Sequence, residues 1–388
     1  MKTLIKTIQR ILLIITLAIV LSVGFLFVQE PLVMSRLGGM LLGKKTGVYK
    51  IVTSGDGLSI KNNLGEKTIS QQALDEATAY ARETKSHALL VFHQGELQLE
   101  EYFPGYDEKT LSDTNSMHKT VLALLIGIAI DQGLIDNVDE SASNYLSEWA
   151  QDERQQITIK QLLQQSSGIL YPPFSFNPTG EWMKFMNGDD TQNIALNQPL
   201  EQTPNSEFAY NGINPQNLGL LLERATKKSY SDYLSENLWR YMKDDAFVTL
   251  DAEKHATTRM FCCLDATARD LLRIGLLILN QGRLGDSRIV SETWIREMIT
   301  PSDLNPNYGY LTWLGTEYQE NRIYNNKSSA TGFHSEPFVD EDIVFLDGFG
   351  GQRAYIIPSK DLVIIRTGAI VWDWDDAKLP NTISKGVN

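Results

Sequence analysis

Apolar residues are unevenly distributed along the chain, and the longest uninterrupted run lies near the N-terminus. Residues 11–28 (ILLIITLAIVLSVGFLFV) carry no charge and follow the basic residues Lys2, Lys6 and Arg10. As a helix this run would extend about 27 Å, close to the thickness of the hydrocarbon layer of a bilayer. The pattern predicts a transmembrane anchor over 11–28, with the basic N-terminus 1–10 in the cytoplasm and the remaining chain outside.

The residues that follow the apolar run indicate whether it is cleaved and where the next segments begin. An uncleaved anchor is favoured over a signal peptide, because the apolar run is long and no small-residue cleavage site follows it. The glycine-containing segment 29–50 is predicted to be a linker, and residues 51–388 are predicted to form one domain.

The periodicity of residues 51–388 predicts strands at both ends and helices between them. Residues 87–102 form two strand-like runs around Gln94-Gly95, which is typical of a hairpin. The apolar run 121–130 is too short to span a membrane and predicts a buried helix. Helical patterns continue to about residue 279, and strand patterns return over 308–368. This order predicts an α+β fold, with an antiparallel sheet from both chain ends, flanking helices and an inserted all-helical lobe.

Composition excludes several classes of protein. The 388 residues are 42% hydrophobic and 21% charged, which is ordinary for a globular protein. With 48 acidic and 35 basic residues the net charge is −13, and no basic run interleaved with aromatics occurs, which argues against nucleic-acid binding. The adjacent cysteines Cys262 and Cys263 are expected to be buried small apolar residues. Neither they nor the histidines have metal-ligand spacing, so no metal or cofactor is expected.

Chemistry is first suggested by Ser116-Met117-His118-Lys119, which stands at the start of the buried helix. Positions three apart share a helix face, so Lys119 would lie one turn above Ser116 and could accept its proton if burial left the amine neutral. His118 would point roughly the opposite way and is expected to be a packing or surface residue. The motif alone also fits a first-turn serine beside a solvated lysine.

Further motifs follow in a familiar order. The stretch 204–214 (PNSEFAYNGIN) precedes an apolar helix, and 348–352 (GFGGQ) opens a strand. Together with S-x-x-K, these motifs resemble those of the serine β-lactamase and penicillin-binding-protein superfamily, in its class C-like branch. Segments 157–168, 260–275 and 350–358 are similar to the subgroup of nylon-oligomer (6-aminohexanoate dimer) hydrolases and related esterases.

The resemblance implies a role for each matching residue. Ser116 would be the acyl-forming nucleophile, Lys119 its proton acceptor, and Tyr210 the tyrosine that moves protons to and from the leaving group. The backbone N–H of Ser116 would form the oxyanion hole with that of Gly351 or Gln352. Further candidates for substrate binding are Gly350 and Asn211.

Two positions depart from the pattern of this superfamily. The asparagine two residues after the tyrosine is replaced by Gly212, which places amide hydrolysis in doubt relative to ester hydrolysis. The lysine or histidine that opens the last motif is replaced by Gly348, which removes a fixed cation for a penicillin-like carboxylate. Arg353 could replace that cation in part or could face solvent. Weak or absent β-lactamase activity is therefore expected.

The favoured interpretation is a serine hydrolase anchored in a bacterial cell envelope, acting on a small ester or amide outside the cytoplasmic membrane. One alternative is a D,D-peptidase or penicillin-binding protein acting on peptidoglycan peptides. The other is a catalytically inactive relative that binds cell-wall ligands, although retention of all three catalytic candidates argues against it. The oligomeric state stays open.

Overall fold

The computed structural model describes residues 2–42, 46–61, 67–253, 256–327 and 330–388. The helices are α1 (Lys2–Gln29), α2 (Pro31–Leu41), α3 (Gln71–Glu83), α4 (His118–Asp131), α5 (Ile159–Leu163), α6 (Glu181–Asn187), α7 (Thr191–Asn197), α8 (Ile213–Thr226), α9 (Tyr230–Asn237), α10 (Ala268–Leu279), α11 (Glu292–Met298) and α12 (Lys378–Lys385). The strands are β1 (Val48–Val52), β2 (Ser86–His93), β3 (Glu96–Tyr102), β4 (Leu111–Asp113), β5 (Ala246–Leu250), β6 (Leu264–Thr267), β7 (Arg283–Leu284), β8 (Ser287–Arg288), β9 (Trp313–Leu314), β10 (Asn321–Ile323), β11 (Thr331–Phe333), β12 (Val344–Gly348), β13 (Gln352–Ile357) and β14 (Leu362–Gly368).

The chain divides into two compact units, of which the smaller comprises residues 1–48, 172–194 and 250–257. Within α1, residues 6–29 contain an 18-residue stretch that has a mean hydropathy of 3.1 and is not buried, so by length and composition this helix could cross a membrane. Helix α2 occupies part of the segment that was expected to be a linker. It is held by Arg36, which donates hydrogen bonds to the carbonyls of Asn187, Gly188 and Asp251 over 2.7–2.9 Å.

The larger unit comprises residues 49–171, 195–249 and 258–388 and contains a six-stranded sheet. Its strand order is β3-β2-β14-β13-β12-β9, and every neighbouring pair is antiparallel. The predicted sheet built from both ends of the domain is therefore confirmed. The predicted hairpin is also present, and both Gln94 and Gly95 of its turn have positive φ, at 51° and 85°.

Helices cover both faces of this sheet. Ile364 on β14 belongs to a buried cluster with Ala77 of α3 and Ile383 of α12. Its neighbour Val363 points to the opposite face because side chains alternate along a strand. There a Cβ placed on Gly275 of α10 would lie 2.6 Å from a methyl carbon of Val363, so the helix lies very close to the sheet. A second sheet, β1-β5-β6-β4, includes the strand that leads into the S-x-x-K motif.

Helix α4 is the predicted buried helix, and twelve of its fourteen residues are buried. A close approach fixes its position against α11: a Cβ on Gly127 would lie 2.2 Å from the indole ring of Trp294. The indole nitrogen of Trp294 also donates a hydrogen bond of 3.1 Å to the Ala123 carbonyl, so the ring cannot move away freely. The helix that carries Lys119 therefore has no room for a side chain at Gly127.

We expect Gly127→Ala to lower the free energy of unfolding by about 1–3 kcal/mol, because the added methyl group overpacks this contact. Urea unfolding of the full chain in detergent, followed by circular dichroism, measures the change. The double variant Gly127→Ala/Trp294→Leu should lose less than the sum of the two single losses, because the ring is no longer there to clash. Additive losses would contradict this account.

Candidate active site

The S-x-x-K motif lies at the junction between β4 and α4. Residues Asn115–Met117 form a 3₁₀ turn, and α4 begins at the next residue, so Ser116 precedes the α-helix instead of occupying its first turn. The Thr114 amide donates to the Leu264 carbonyl of β6 over 2.9 Å, which ties this turn to the smaller sheet. Asn115 has a φ of 50°, a left-handed conformation that is uncommon for a residue other than glycine. Ser116 is partly exposed and accessible to a substrate.

Lys119 is buried directly behind Ser116, with only 4% of its surface exposed. Its Nζ atom lies 2.7 Å from Oγ of Ser116 and 2.6 Å from the Phe261 carbonyl oxygen. Burial lowers the pKa of the lysine to about 7, and the negative charge of Asp347 partly opposes this shift. A substantial fraction of the amine is therefore neutral near pH 7 and able to accept a proton.

Tyr210 is the third residue of this group. Nζ of Lys119 lies 4.9 Å from the centre of its ring, and the Tyr210 amide donates to the Tyr324 carbonyl over 2.9 Å. Burial raises the pKa of the phenol, the charge of Asp347 raises it further, and the interaction with the Ser116 hydroxyl lowers it in part. The phenol is therefore protonated at neutral pH. The structure thus brings Ser116, Lys119 and Tyr210 together.

Asn211, the substrate-binding candidate next to Tyr210, is buried in its own turn. Its Nδ2 atom donates to the Ala209 carbonyl over 2.8 Å, and its Oδ1 atom accepts from the Asn214 amide at the start of α8. Its backbone amide donates to Oε1 of Gln165. These contacts give the Asn211 side chain a local structural role.

The glycine motif forms the tight turn between β12 and β13. Gly350 and Gly351 have φ values of 74° and 86°, which only glycine adopts without strain. A Cβ on Gly348 would lie 2.3 Å from the Thr114 carbonyl oxygen, so this strand lies against the Ser116 turn. The Gln352 side chain exchanges two hydrogen bonds with the backbone of Gly368, which leaves its main chain as the part that could serve a substrate.

Arg353 fulfils neither of the roles expected for it. It is 3% exposed, and its Nε atom lies 2.6 Å from Asp376 while its Nη1 atom lies 2.7 Å from Asp347. Nη1 also donates to the Gly348 carbonyl over 2.6 Å. The guanidinium is thus a buried structural cation, since both carboxylates already hold it, and not a solvent-facing residue or a free site for a substrate carboxylate.

Sequence reasoning missed the rest of this ionic group. Arg322 donates through Nη2 to Asp347 over 2.7 Å and to Asp376 over 2.9 Å, and the Tyr324 hydroxyl donates to Asp347 over 2.6 Å. A usable signal existed in the strands: Asp347 and Arg353 interrupt the apolar runs VFLDG and QRAYII. A charge within a buried strand is stable only when it is paired.

His118 and the two cysteines adjoin the lysine. The His118 ring is fully buried, with Nδ1 2.5 Å from the Cys262 carbonyl and Nε2 2.7 Å from the Tyr230 hydroxyl. Burial lowers its pKa to about 4, so its role is packing, as expected. The expectation that Cys262 and Cys263 are buried small apolar residues was wrong, because they are half-buried and form a disulfide with each other. Cys263 has a φ of 74°, a turn geometry that the sequence pattern did not reveal.

A partly exposed serine beside a buried lysine, on a sheet of this order covered by helices, defines a serine hydrolase with the β-lactamase/transpeptidase-like fold. The sequence matches the Beta-lactamase family over residues 71–367, and the chain belongs to that family.

Named relatives agree with this assignment. The 6-aminohexanoate-dimer hydrolase of Paenarthrobacter ureafaciens is 26% identical over 327 residues, which cover 79% of this chain and 77% of the relative. A solved structure from Bacillus anthracis, described as a candidate 6-aminohexanoate-dimer hydrolase, superposes with a TM-score of 0.69 at 19% identity, over 87% of this chain and 89% of that one. A family VIII carboxylesterase superposes with a TM-score of 0.62 at 16% identity, over 87% and 99%. The predicted family and fold are confirmed.

The pKa of Lys119 predicts the pH dependence of Ser116 reactivity. Labelling by an uncharged fluorophosphonate should rise with pH and level off above an apparent pKa of about 7, because protonation below that value removes the base. Rates measured by intact mass between pH 5 and 9 give this profile. The matched control is His118→Gln, which should keep the same midpoint, since His118 titrates near 4. Loss of the transition in this variant would assign the base to the histidine instead.

Proposed function

We propose that this protein is a membrane-anchored hydrolase that cleaves an ester or amide through an acyl-enzyme intermediate on Ser116. The observation that carries the proposal is the 2.7 Å contact between the partly exposed Ser116 hydroxyl and the buried Lys119 amine. A solvated lysine would be charged at neutral pH and could not accept a proton, whereas this one has a pKa of about 7. A relative that only bound ligands would have no need for such a base.

In the first step, Lys119 accepts the proton of Ser116 while Oγ attacks the carbonyl carbon of the substrate. The Phe261 carbonyl helps to hold Nζ within hydrogen-bonding distance of Oγ, since it accepts a hydrogen bond from the amine. Tyr210, protonated and beside the lysine, donates a proton to the departing alcohol or amine. Water then attacks the acyl-enzyme, and the same groups return the protons.

When Oγ attacks, negative charge develops on the carbonyl oxygen of the substrate, and two backbone N–H groups are needed to stabilise it. We assign one to the Ser116 amide, at the start of the helical segment, where backbone N–H groups point outward. The second comes from the Gly351 or Gln352 amide, on the turn that the close approach of Gly348 to Thr114 holds against the nucleophile. Losing one such donor costs about 10²–10³ in rate in other hydrolases.

Location follows from the N-terminal helix. We propose that α1 anchors the chain in the cytoplasmic membrane of a bacterium, with Lys2, Lys6 and Arg10 on the cytoplasmic side and residues 51–388 outside. Support comes from residues 6–29, which contain an 18-residue stretch with the length and hydropathy of a membrane span. The substrate would then be a small ester or amide encountered in the cell envelope.

Labelling by a fluorophosphonate probe tests the catalytic assignment. Intact mass should show one adduct on the wild type and none on Ser116→Ala. Lys119→Ala should react at least about 10²-fold more slowly, which is the usual contribution of a general base. Tyr210→Phe keeps the ring and removes only the hydroxyl, so it should be labelled yet slow in ester turnover. No adduct on any form would favour the inactive, ligand-binding alternative.

A second prediction concerns β-lactams. Nitrocefin should be turned over far more slowly than p-nitrophenyl butanoate, because Gly348 leaves no cation at the motif and Arg353 is committed to two carboxylates. Gly348→Lys should not restore the activity, since a side chain there would clash with the Thr114 carbonyl. Rapid nitrocefin turnover would contradict the prediction, and stable acylation by a labelled penicillin would favour the penicillin-binding alternative.

A further inference from the structure

A cluster of three aromatic side chains lies at the surface of the smaller compact unit. The Phe174 ring packs edge-to-face against the rings of Phe176 and Trp182, with ring centres 4.8 and 4.7 Å apart. Despite these contacts, Phe174 is 63% exposed and Phe176 is 78% exposed, while Trp182 is half-buried. Adjoining exposed apolar side chains are typical of surfaces that contact a partner or a membrane.

The loop that carries the two phenylalanines is held in shape by its own residues. Its sequence over 172–180 is PPFSFNPTG, and proline fixes the backbone angle φ at three of these positions. Oγ of Ser175 accepts from the Asn177 amide over 3.1 Å, and the Gly180 amide donates to the Asn177 carbonyl over 2.9 Å. The rings are therefore presented in advance, which reduces the entropy lost when they bind.

Helix α2 leads on from α1 and so indicates where the membrane would lie. The Glu30 amide donates to the Leu26 carbonyl over 2.8 Å, and the Met34 amide donates to the Glu30 carbonyl over 3.0 Å. These are hydrogen bonds of the α-helical type, so the helical path continues through the short break before Pro31. The apolar run ends at residue 28. With α1 in a bilayer, Glu30 lies at the boundary with water and α2 extends away from it.

Two contacts orient helix α6 along α2. Nζ of Lys184 lies 2.6 Å from the Glu30 carboxylate, and Arg36, six residues further along the chain, donates to the carbonyls of Asn187 and Gly188. Both helices therefore run in the same direction, and α6 begins at the end nearest the membrane. Trp182 precedes Lys184 by half a turn, and helical side chains lean toward the N-terminus of their helix. Its ring therefore lies on the bilayer side of the Lys184–Glu30 ion pair.

We propose that Phe174, Phe176 and Trp182 form a membrane-contacting patch, which inserts into the interfacial layer of the bilayer that α1 spans. This inference rests on the proposed anchoring by α1 and adds a second point of contact to it. Aromatic side chains favour this layer, because their rings bury apolar surface while the indole N–H stays hydrated. The layer is about 5–8 Å thick on each side of the hydrocarbon core, which is deep enough for a ring.

The charge of the surrounding segment indicates which lipids the patch would accept. In residues 172–194, Lys184 is the only basic residue and is already paired. Three acidic residues of the segment are exposed, namely Glu181, Asp189 and Asp190. Attraction to anionic headgroups therefore does not hold this segment at a membrane. Insertion should depend on the rings, and it should be no weaker in phosphatidylcholine than in a bilayer that contains phosphatidylglycerol.

Fluorescence of single labels on the full chain in phosphatidylcholine nanodiscs tests the proposal. Phe176→Cys takes an iodoacetamide-NBD label, because Cys262 and Cys263 are joined in a disulfide and do not react. We expect a blue-shifted emission and loss of most of it when the lipids carry a spin label near the headgroup. The matched control is Asp189→Cys, which is exposed and lies beyond the Gly188 contact with α2. Its label should show neither effect.

A label at Val20→Cys, in the middle of α1, separates the patch from the anchor. Quenching at position 20 by spin labels deep in the acyl chains, without quenching at position 176, would overturn the patch and leave the anchor intact. Quenching at neither position would overturn both proposals. Quenching at position 176 that requires phosphatidylglycerol, or that equals the quenching of the Asp189→Cys control, would also contradict insertion through the rings.

Two further variants test whether the rings act together and apart from the active site. Phe174→Ser/Trp182→Ser should abolish most of the quenching at position 176, whereas unchanged quenching would mean that the label inserts by itself. In detergent, Phe174→Ser/Phe176→Ser should leave fluorophosphonate labelling of Ser116 at the wild-type rate. Slower labelling would assign the rings to a substrate pocket instead of a membrane and would overturn the proposal.

Discussion

The site depends on one constraint, which is that Lys119 is buried beside Ser116 and forms no ion pair with any carboxylate in the described part of the chain. An isolated ammonium group in an apolar interior is unfavourable, so the protein lowers the pKa of the amine instead of pairing it. The Phe261 carbonyl suits this purpose because it accepts a hydrogen bond but carries no full charge. A carboxylate in that place would keep the lysine protonated.

Asp347 opposes the lowered pKa of Lys119, since its negative charge favours the protonated amine. Its two oxygens are held by Arg322, Arg353 and the Tyr324 hydroxyl, and the two guanidinium groups offset its negative charge. With Asp376 the group contains two cations and two anions, all at most 5% exposed. Removing one member would leave a buried charge unpaired and would also disturb the base.

The same ionic group contacts two features that adjoin Ser116, the glycine turn and the aromatic residues around Tyr210. Arg353 on β13 binds the Gly348 carbonyl at the end of β12, where the strand meets the Ser116 turn. Arg322 lies over the Trp313 ring, 4.1 Å from its centre, and that ring lies 5.5 Å from Tyr210. Electrostatic pairing and packing therefore position the tyrosine and the glycine turn together.

Local patterns predicted what depends on neighbours in sequence: the hairpin at Gln94, the buried helix α4 and the spacing of Ser116 and Lys119. They failed where the partner is distant. The Phe261 carbonyl lies 142 residues beyond Lys119, and Arg322, Asp347 and Asp376 are brought together only by the tertiary fold. The Cys262–Cys263 disulfide and helix α2 were also missed, since adjacent cysteines and a glycine-containing segment carry no clear periodic signal.

These contacts also bear on the choice between ester and amide. In the superfamily the missing asparagine would steady both the lysine and the substrate amide. Here the Phe261 carbonyl accepts a hydrogen bond from Lys119, so the lysine stays in position although Gly212 replaces the asparagine. Asn211 and Asn214 do not replace the contact to an amide, because their side chains are engaged with Ala209 and with Ser167 and Gln165. Amide substrates would lose a partner that esters do not need, and on this ground we propose that esters are the better substrates.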